Sequence, residues 1–377
     1  MVTGAAATMS TAVHVATLGD GAPVEVTVVR RADEVAGLGD AWDRLDAHPG
    51  APVLSHDWVV SAVEHLSASG DPLIVCVFES DELVGAAPLW RSRKPFARLE
   101  LLGQRHHGEP GGLVYRDAPS LRRLLDALGS LRLPMVLRSF DADRPVLDGL
   151  RHTGGCRVVT RSSRSCPTLE IPAGATGLDR VLSASLRSDL RRARRRAERI
   201  GAVAFEMHTP ASPDDLRPLW DEVLRVEAAG WKGRSGTALR HHEALGAFFS
   251  AYARRSVERK ELRIGLLEIG GVAAAAVVAV EAGNRLWLLK IGYDERFAAA
   301  SPGMLVLEGS LTDAVDRGLR SFEFLGTATP WTRRWTSAER PFAAVRVYPH
   351  TPLGAAWLGW DAARSLGRRF LWREGRP

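Results

Sequence analysis

Short apolar runs broken by polar turns recur in two blocks along this chain, and they predict strands. Leu73-Ile74-Val75-Cys76-Val77-Phe78-Glu79, the polar pair Asp81-Glu82, and Val84-Gly85-Ala86-Ala87-Pro88-Leu89 read as strand, turn and strand. In the second half, Leu262-Arg263-Ile264-Gly265-Leu266-Leu267-Glu268, the turn Gly270-Gly271 and the run at 272–278 repeat that grammar. Each hairpin precedes a third apolar run ending in glycine, at residues 99–103 and 286–292. Upstream, each half carries an amphipathic helix containing Trp-Asp, at Trp42-Asp43 and Trp220-Asp221. A repeat of this length predicts two copies of one α/β unit rather than a solenoid of many short copies.

Residues 286–326 add the pattern of a strand, an irregular loop, a helix and a second strand. Ser301 followed by Pro302 and Gly303 marks the helix start, and Gly318 falls where a glycine ends a helix. The start of such a helix offers unpaired N–H groups and a positive dipole end, which suits an anion such as a pyrophosphate. Lys290, Tyr293 and Asp294 lie just upstream, placing titratable groups beside that anion site. An ordinary β-α-β crossover satisfies the same pattern.

Charge changes the picture at one place. The chain has 377 residues and a net charge of +6, and seven arginines between Leu186 and Arg199 against Asp189 and Glu198 supply nearly all of it. Thr176 with Asp179 reads as a capping box for this helix, Gly201 as its end, and Leu186, Leu190, Ala193, Ala197 and Ile200 as one apolar stripe. Either the arginines are a solvated face, or Arg187, Arg191, Arg194 or Arg195 meets a polyanion: a coenzyme phosphate, a nucleotide-linked substrate or tRNA. A second basic helix closes the chain, mixing Trp357, Trp360, Phe370 and Trp372 with Arg364, Arg368, Arg369 and Arg373. It either docks on its own domain or touches a membrane surface peripherally.

Composition is that of a soluble globular protein long enough for two domains. No apolar run reaches the roughly 20 residues of a membrane span. Cys76, Cys156 and Cys166 have no metal spacing and fit a reducing, cytoplasmic setting. Zinc, phosphate-loop and serine-nucleophile motifs are absent. The pattern divides the chain into a loose tail at 1–22, a first α/β domain at 23–172 and the basic connecting helix at 173–201. A second α/β domain follows at 202–350, then the basic-aromatic helix at 351–377.

Several stretches together resemble the tandem-GNAT acyltransferases of the CelD/BcsL type, relatives of the FemABX aminoacyltransferases. They are the basic helix LRSDLRRARRRAERIG, the acidic-then-Trp-Lys-Gly stretch at 227–233, and Lys290 with Gly292-Tyr293-Asp294. Ser301-Pro302-Gly303-Met304-Leu305 and Phe322-Glu323-Phe324-Leu325-Gly326 followed by Trp331-Thr332-Arg333-Arg334-Trp335 complete the series. Arg333 or Arg334 stands where the family usually has lysine. The match covers residues 175–348 well, and the first half mainly in Leu54-Ser55-His56-Asp57-Trp58 and its hairpin. The resemblance implies two tandem GNAT-like domains with mixed α/β sheets, one of which splays apart to admit a thioester.

Acyl transfer to an amine needs a deprotonated nucleophile, a polarised carbonyl and a proton for the departing thiolate. Lys290 is the candidate cation, Tyr293 the proton donor, and Asp294 or Glu227 the base. Glu227 is the stronger base candidate, because it closes an apolar helix face beside an aromatic. Trp231, Lys232, Trp331 and the glycine-rich loop holding His106 and His107 are candidate substrate contacts. Ser301, Pro302, Gly303 and Met304, with Arg191 and Arg195, are candidates for holding acetyl-CoA or another acyl-CoA. No metal is expected. The expected activity is N-acylation of an amine on a sugar, amino acid or specialised metabolite. The alternatives are a FemABX-like transferase using aminoacyl-tRNA and a non-catalytic ligand-binding module.

Overall fold

The computed structural model describes residues 14–17, 23–45, 51–66, 70–93, 96–140 and 144–374, with side chains described only between residues 24 and 365. Among the described residues fourteen strands form one continuous mixed sheet. In chain order they are β1 His14–Thr17, β2 Pro23–Val29, β3 Asp71–Glu79, β4 Glu82–Ser92, β5 Arg98–Leu101, β6 Val114–Tyr115 and β7 Met135–Phe140. The second set is β8 Cys156–Glu170, β9 Val203–His208, β10 Leu262–Ile269, β11 Val272–Ala282, β12 Arg285–Tyr293, β13 Ser321–Glu323 and β14 Glu339–Pro349. The spatial order is β1-β2-β3-β4-β5-β7-β14-β8-β13-β12-β11-β10-β9, with β6 beside β4. Of the expected loose tail, residues 14–17 pair with β2 and the rest lies outside the described residues.

Both expected hairpins are present as β3-β4 and β10-β11. Each leads through a third strand to a parallel partner, β5 with β7 and β12 with β13, so the two halves are copies of one unit. The helices that position the site are α1 His56–His65, α2 Ala118–Ser130, α3 Ala184–Glu198, α4 Pro213–Ala228, α5 Glu243–Glu258, α6 Pro302–Asp316 and α7 Pro352–Glu374. The halves interlock in two ways. β14, the last strand, runs back between β7 and β8, while β8 is long enough to pair with both β14 and β13. Between the two halves, α1 packs on α5 in one aromatic core, where Trp58 meets Phe248 and Tyr252 edge-on at centroid distances of 4.8 and 4.9 Å. Arg259, just past α5, donates to Asp43 and Asp57 of the first half.

Two local expectations shift. The basic helix α3 begins after Ser183, whose hydroxyl accepts from Leu186 N–H, and not at Thr176, which precedes a short 3₁₀ turn. Leu186, Leu190, Ala193 and Ala197 are its buried stripe, whereas Ile200 lies beyond the helix and is 52% exposed. At the other end of the chain, α7 docks on its own sheet: Trp357 is buried against Tyr348 and Val136, and the Arg98 guanidinium lies 5.1 Å from its ring centre. Phe370, Trp372, Arg368, Arg369 and Arg373 lie outside the described side chains. Among the described residues no helix is long and apolar enough to cross a membrane.

Candidate active site

The site starts from the way β12 leaves its parallel partner. β13 pairs with β12 only from Arg285 to Trp287, and beyond that point the strands separate. Leu288 to Tyr293 therefore border a gap in the sheet. Opposite them β13 runs out into Leu325, a non-glycine residue in the left-handed region at φ 53°, and Gly326 at φ 63°. Ser301, which begins α6 over the same gap, is likewise left-handed at φ 55°. Left-handed non-glycine residues cost on the order of 1 kcal/mol or more and concentrate at functional sites.

A cleft of about 600 Å³ borders the end of β12 at Ile291, Gly292 and Tyr293. Its walls bring together Glu227, Trp231, Lys232, Tyr293, Ser301, Pro302, Gly303, Met304 and Trp331 from four separate stretches of sequence. The α6 start forms one wall. Pro302 is its first residue, and Gly318 ends the same segment at φ 68°, as the pattern anticipated. Ser301 differs from expectation because its side chain caps nothing; its hydroxyl accepts instead from Arg196 of α3 at 3.0 Å. Gly303 keeps the turn close to Tyr293, where a Cβ would sit 3.5 Å from the ring. Trp231 and Trp331, 53% and 43% exposed, flank the cleft from different elements.

The other wall is polar. Glu227 ends α4 at 5% exposure with both carboxylate oxygens engaged, Oε1 accepting from Lys232 Nζ at 2.9 Å and Oε2 from Leu239 N–H at 3.0 Å. Lys232 also donates to the Ile291 carbonyl at 3.0 Å, which fastens this pair to the edge of β12. Gly292 allows that approach, since a Cβ there would lie 3.0 Å from Glu227 Cα.

Lys290 does not line the cleft. Register runs Val278↔Lys290 and then Ala279↔Leu288, so Leu289 is an extra residue and β12 is bulged. The bulge turns Lys290 toward the interdomain core, with its ammonium 4.1 Å from the Phe249 ring centre. Burial lowers its pKa, while the charges of Glu109 and Glu227 work the other way. Asp294 is also outside the cleft. It accepts from Arg296 N–H and pairs with the Arg296 and Arg225 guanidiniums, and the hydrogen bond from Arg296 holds its carboxyl below the usual range.

His106 and His107 stand apart as well. His106 packs edge-on to Trp90, and His107 sits among Trp58 and Phe248, its Nδ1 accepting from Glu109 N–H at 3.0 Å. Burial pushes the His107 imidazole down to about 3, against a bond to the Leu102 backbone. Arg191 and Arg195 are exposed and are not among the cleft residues. Three other arginines do connect to the site: Arg196 to Ser301 and Ala299, Arg194 to Glu308 of α6, and Arg334 of the cleft to Asp189 of α3. Spacing alone could not separate these from their neighbours, because arginines stand all round α3 outside the stripe.

Residues 184–333 match the acetyltransferase (GNAT) domain family. The fold as a whole is similar to three solved structures. FemX is 12% identical, with a TM-score of 0.57 over 83% of this chain and 96% of that one. The C-terminal domain of a putative lysylphosphatidylglycerol synthetase from Agrobacterium fabrum is 13% identical, with a TM-score of 0.54 over 87% and 96%. L-PGS from Bacillus licheniformis is 14% identical, with a TM-score of 0.50 over 87% and 96%. No curated protein matches the chain in sequence. Residues 184–333 are thus matched as a GNAT domain, set in a tandem GNAT-like mixed α/β fold.

Proposed function

We propose that this protein is an N-acyltransferase that moves an acetyl or other acyl group from acyl-CoA to an amine of a sugar, amino acid or specialised metabolite. The observation that carries the reading is the cleft joining the α6 start, past the end of β12, to Glu227 and Lys232. Acyl-CoA enters as a substrate, its pyrophosphate held at the positive end of α6. The acceptor nitrogen attacks the thioester carbonyl, the C–N bond forms, and the C–S bond breaks. Glu227 takes the proton that the amine gives up, Lys232 balances its charge, and Tyr293 protonates the departing thiolate. Trp231 and Trp331 contact the acceptor. Lys290 acts from behind the gap and Asp294 fixes the turn after β12. The CelD/BcsL-type resemblance in residues 175–348 supports the same reading, and the proposed setting is cytoplasmic, with Cys76, Cys156 and Cys166 as free thiols.

The test is calorimetric titration with CoA and acetyl-CoA, followed by a mass-spectrometric screen of amines with several acyl-CoAs. Binding of the thioester and a mass gain on one amine class are expected. A folded protein that binds neither CoA form would sink the reading. Aminoacyl-tRNA as the donor would instead show binding that weakens steeply with salt. A non-catalytic module would keep its cellular role in Glu227→Gln.

A further inference from the structure

The loop that follows β5 reaches out of the first half to the turn after β13 in the second. Glu109 of this loop is only 7% exposed, and its Oε2 accepts from Gly326 N–H at 3.1 Å. Gly326 belongs to the left-handed turn that forms the β13 lip of the gap. Among the described residues the second oxygen of Glu109 has no hydrogen bond, and neither has the Lys290 ammonium, which rests on the Phe249 ring. A carboxylate with one oxygen unbonded and an ammonium on an aromatic ring are costly in a poorly solvated region unless each feels the other. The charged groups around Lys290 are Glu109 from the loop, Glu227 from α4 and Lys232 just beyond α4, with His107 neutral beside them. Burial raises the Glu109 pKa and the Lys290 charge opposes that rise, and of these charged groups Glu109 alone comes from the first half.

We propose that Glu109 is a positioning residue of the second half's site: it fixes the β13 lip through Gly326 and supplies the counter-charge for Lys290. The first half then completes the site it packs against. Burial lowers the Lys290 pKa, and Glu109 is the first of the charges that oppose this. Removing the Glu109 charge must lower it further, so Lys290 loses its proton at lower pH. The catalytic consequence rests on the acyltransferase reading; the coupling of the two residues does not.

The experiment separates these. The chain has four lysines, Lys94, Lys232, Lys260 and Lys290, so reductive ¹³C-methylation gives a spectrum in which each can be assigned by substitution. In Glu109→Gln, Lys290 is expected to titrate about one to three pH units below its wild-type midpoint, whereas Lys260 should not move. Glu109→Asp, which keeps the charge, should restore much of the shift. In turnover assays the high-pH limb of the Glu109→Gln profile is expected to fall with the Lys290 titration. Glu109→Ala, which also loses the Gly326 bond, should weaken acyl-CoA turnover further at every pH. An unchanged Lys290 midpoint in a folded Glu109→Gln protein overturns the proposal, as does an unchanged pH profile in an enzyme that turns over acyl-CoA. A shifted midpoint in a wild-type protein that consumes no acyl-CoA strikes the acyltransferase reading and leaves the coupling standing.

Discussion

Arg196 donates from Nη2 to the Ser301 hydroxyl at 3.0 Å and from Nε to the Ala299 carbonyl at 2.7 Å. One guanidinium thus ties the basic helix to the turn that begins α6, and it does so where Ser301 holds a left-handed backbone. The arginine acts on the turn, in which the Ser301 and Met304 N–H groups already donate to the Ala298 and Ser301 carbonyls. Arg196→Met should therefore weaken acyl-CoA binding about tenfold, the worth of one or two hydrogen bonds, with little change in helical content. Titration calorimetry beside far-UV circular dichroism checks both parts; unaltered affinity would separate α3 from the donor site.

Glu227 is expected to matter for the chemical step and not for donor binding. Glu227→Gln keeps the shape and the bond from Leu239 N–H but removes the charge opposite Lys232. A fall in kcat of about 10²- to 10⁴-fold is expected, with acyl-CoA affinity nearly unchanged. Stopped-flow measurement of thiol release reads the first quantity and calorimetry the second.

Packing of α6 on the sheet depends on Gly309. A Cβ there would lie 2.4 Å from Cγ of Phe205 on β9, a ring that also fills the space above Gly265. Alanine is the better helix former by about 1 kcal/mol, yet overpacking a core contact costs about 1–3 kcal/mol. Gly309→Ala should thus lower stability on balance, seen as a reduced midpoint in urea denaturation.

His107 makes stability depend on acid. Its folded pKa of about 3 lies below the ordinary 6.5, so between these values the unfolded chain binds a proton that the native protein refuses. This contribution is fully present above pH 6.5 and is lost as pH falls toward 3, by at most about 1.4 kcal/mol per unit. His107→Leu should flatten the loss of stability in that window. Denaturant melts at pH 7, 5.5 and 4 compare the two proteins.

Some of the architecture could be read directly from local chemistry. Strand alternation and turn residues gave both hairpins, and Pro302 with Gly318 gave the limits of α6, because these signals act within a few residues. Glu227, Lys232, Tyr293 and the 301–304 turn were found as candidates in separate stretches, and the fold brings them into one cleft. The start of α3 is ambiguous in the sequence because Thr176 with Asp179 and Ser183 both present capping side chains. Only the packed helix chooses between them.

The residues that sequence pattern left unplaced are those whose position depends on register or on the other half of the molecule. By simple alternation Lys290 would share a face with Leu286 and Leu288; the Leu289 bulge sends it to the interdomain side. Glu109 lies 217 residues from Gly326, a pairing that no local pattern encodes. Periodicity and turn chemistry therefore determined the elements and their duplication, since each depends on interactions between near neighbours. The interlock through β8 and β14, the facing of Lys290 and the entry of Glu109 were decided only when distant strands and loops packed together.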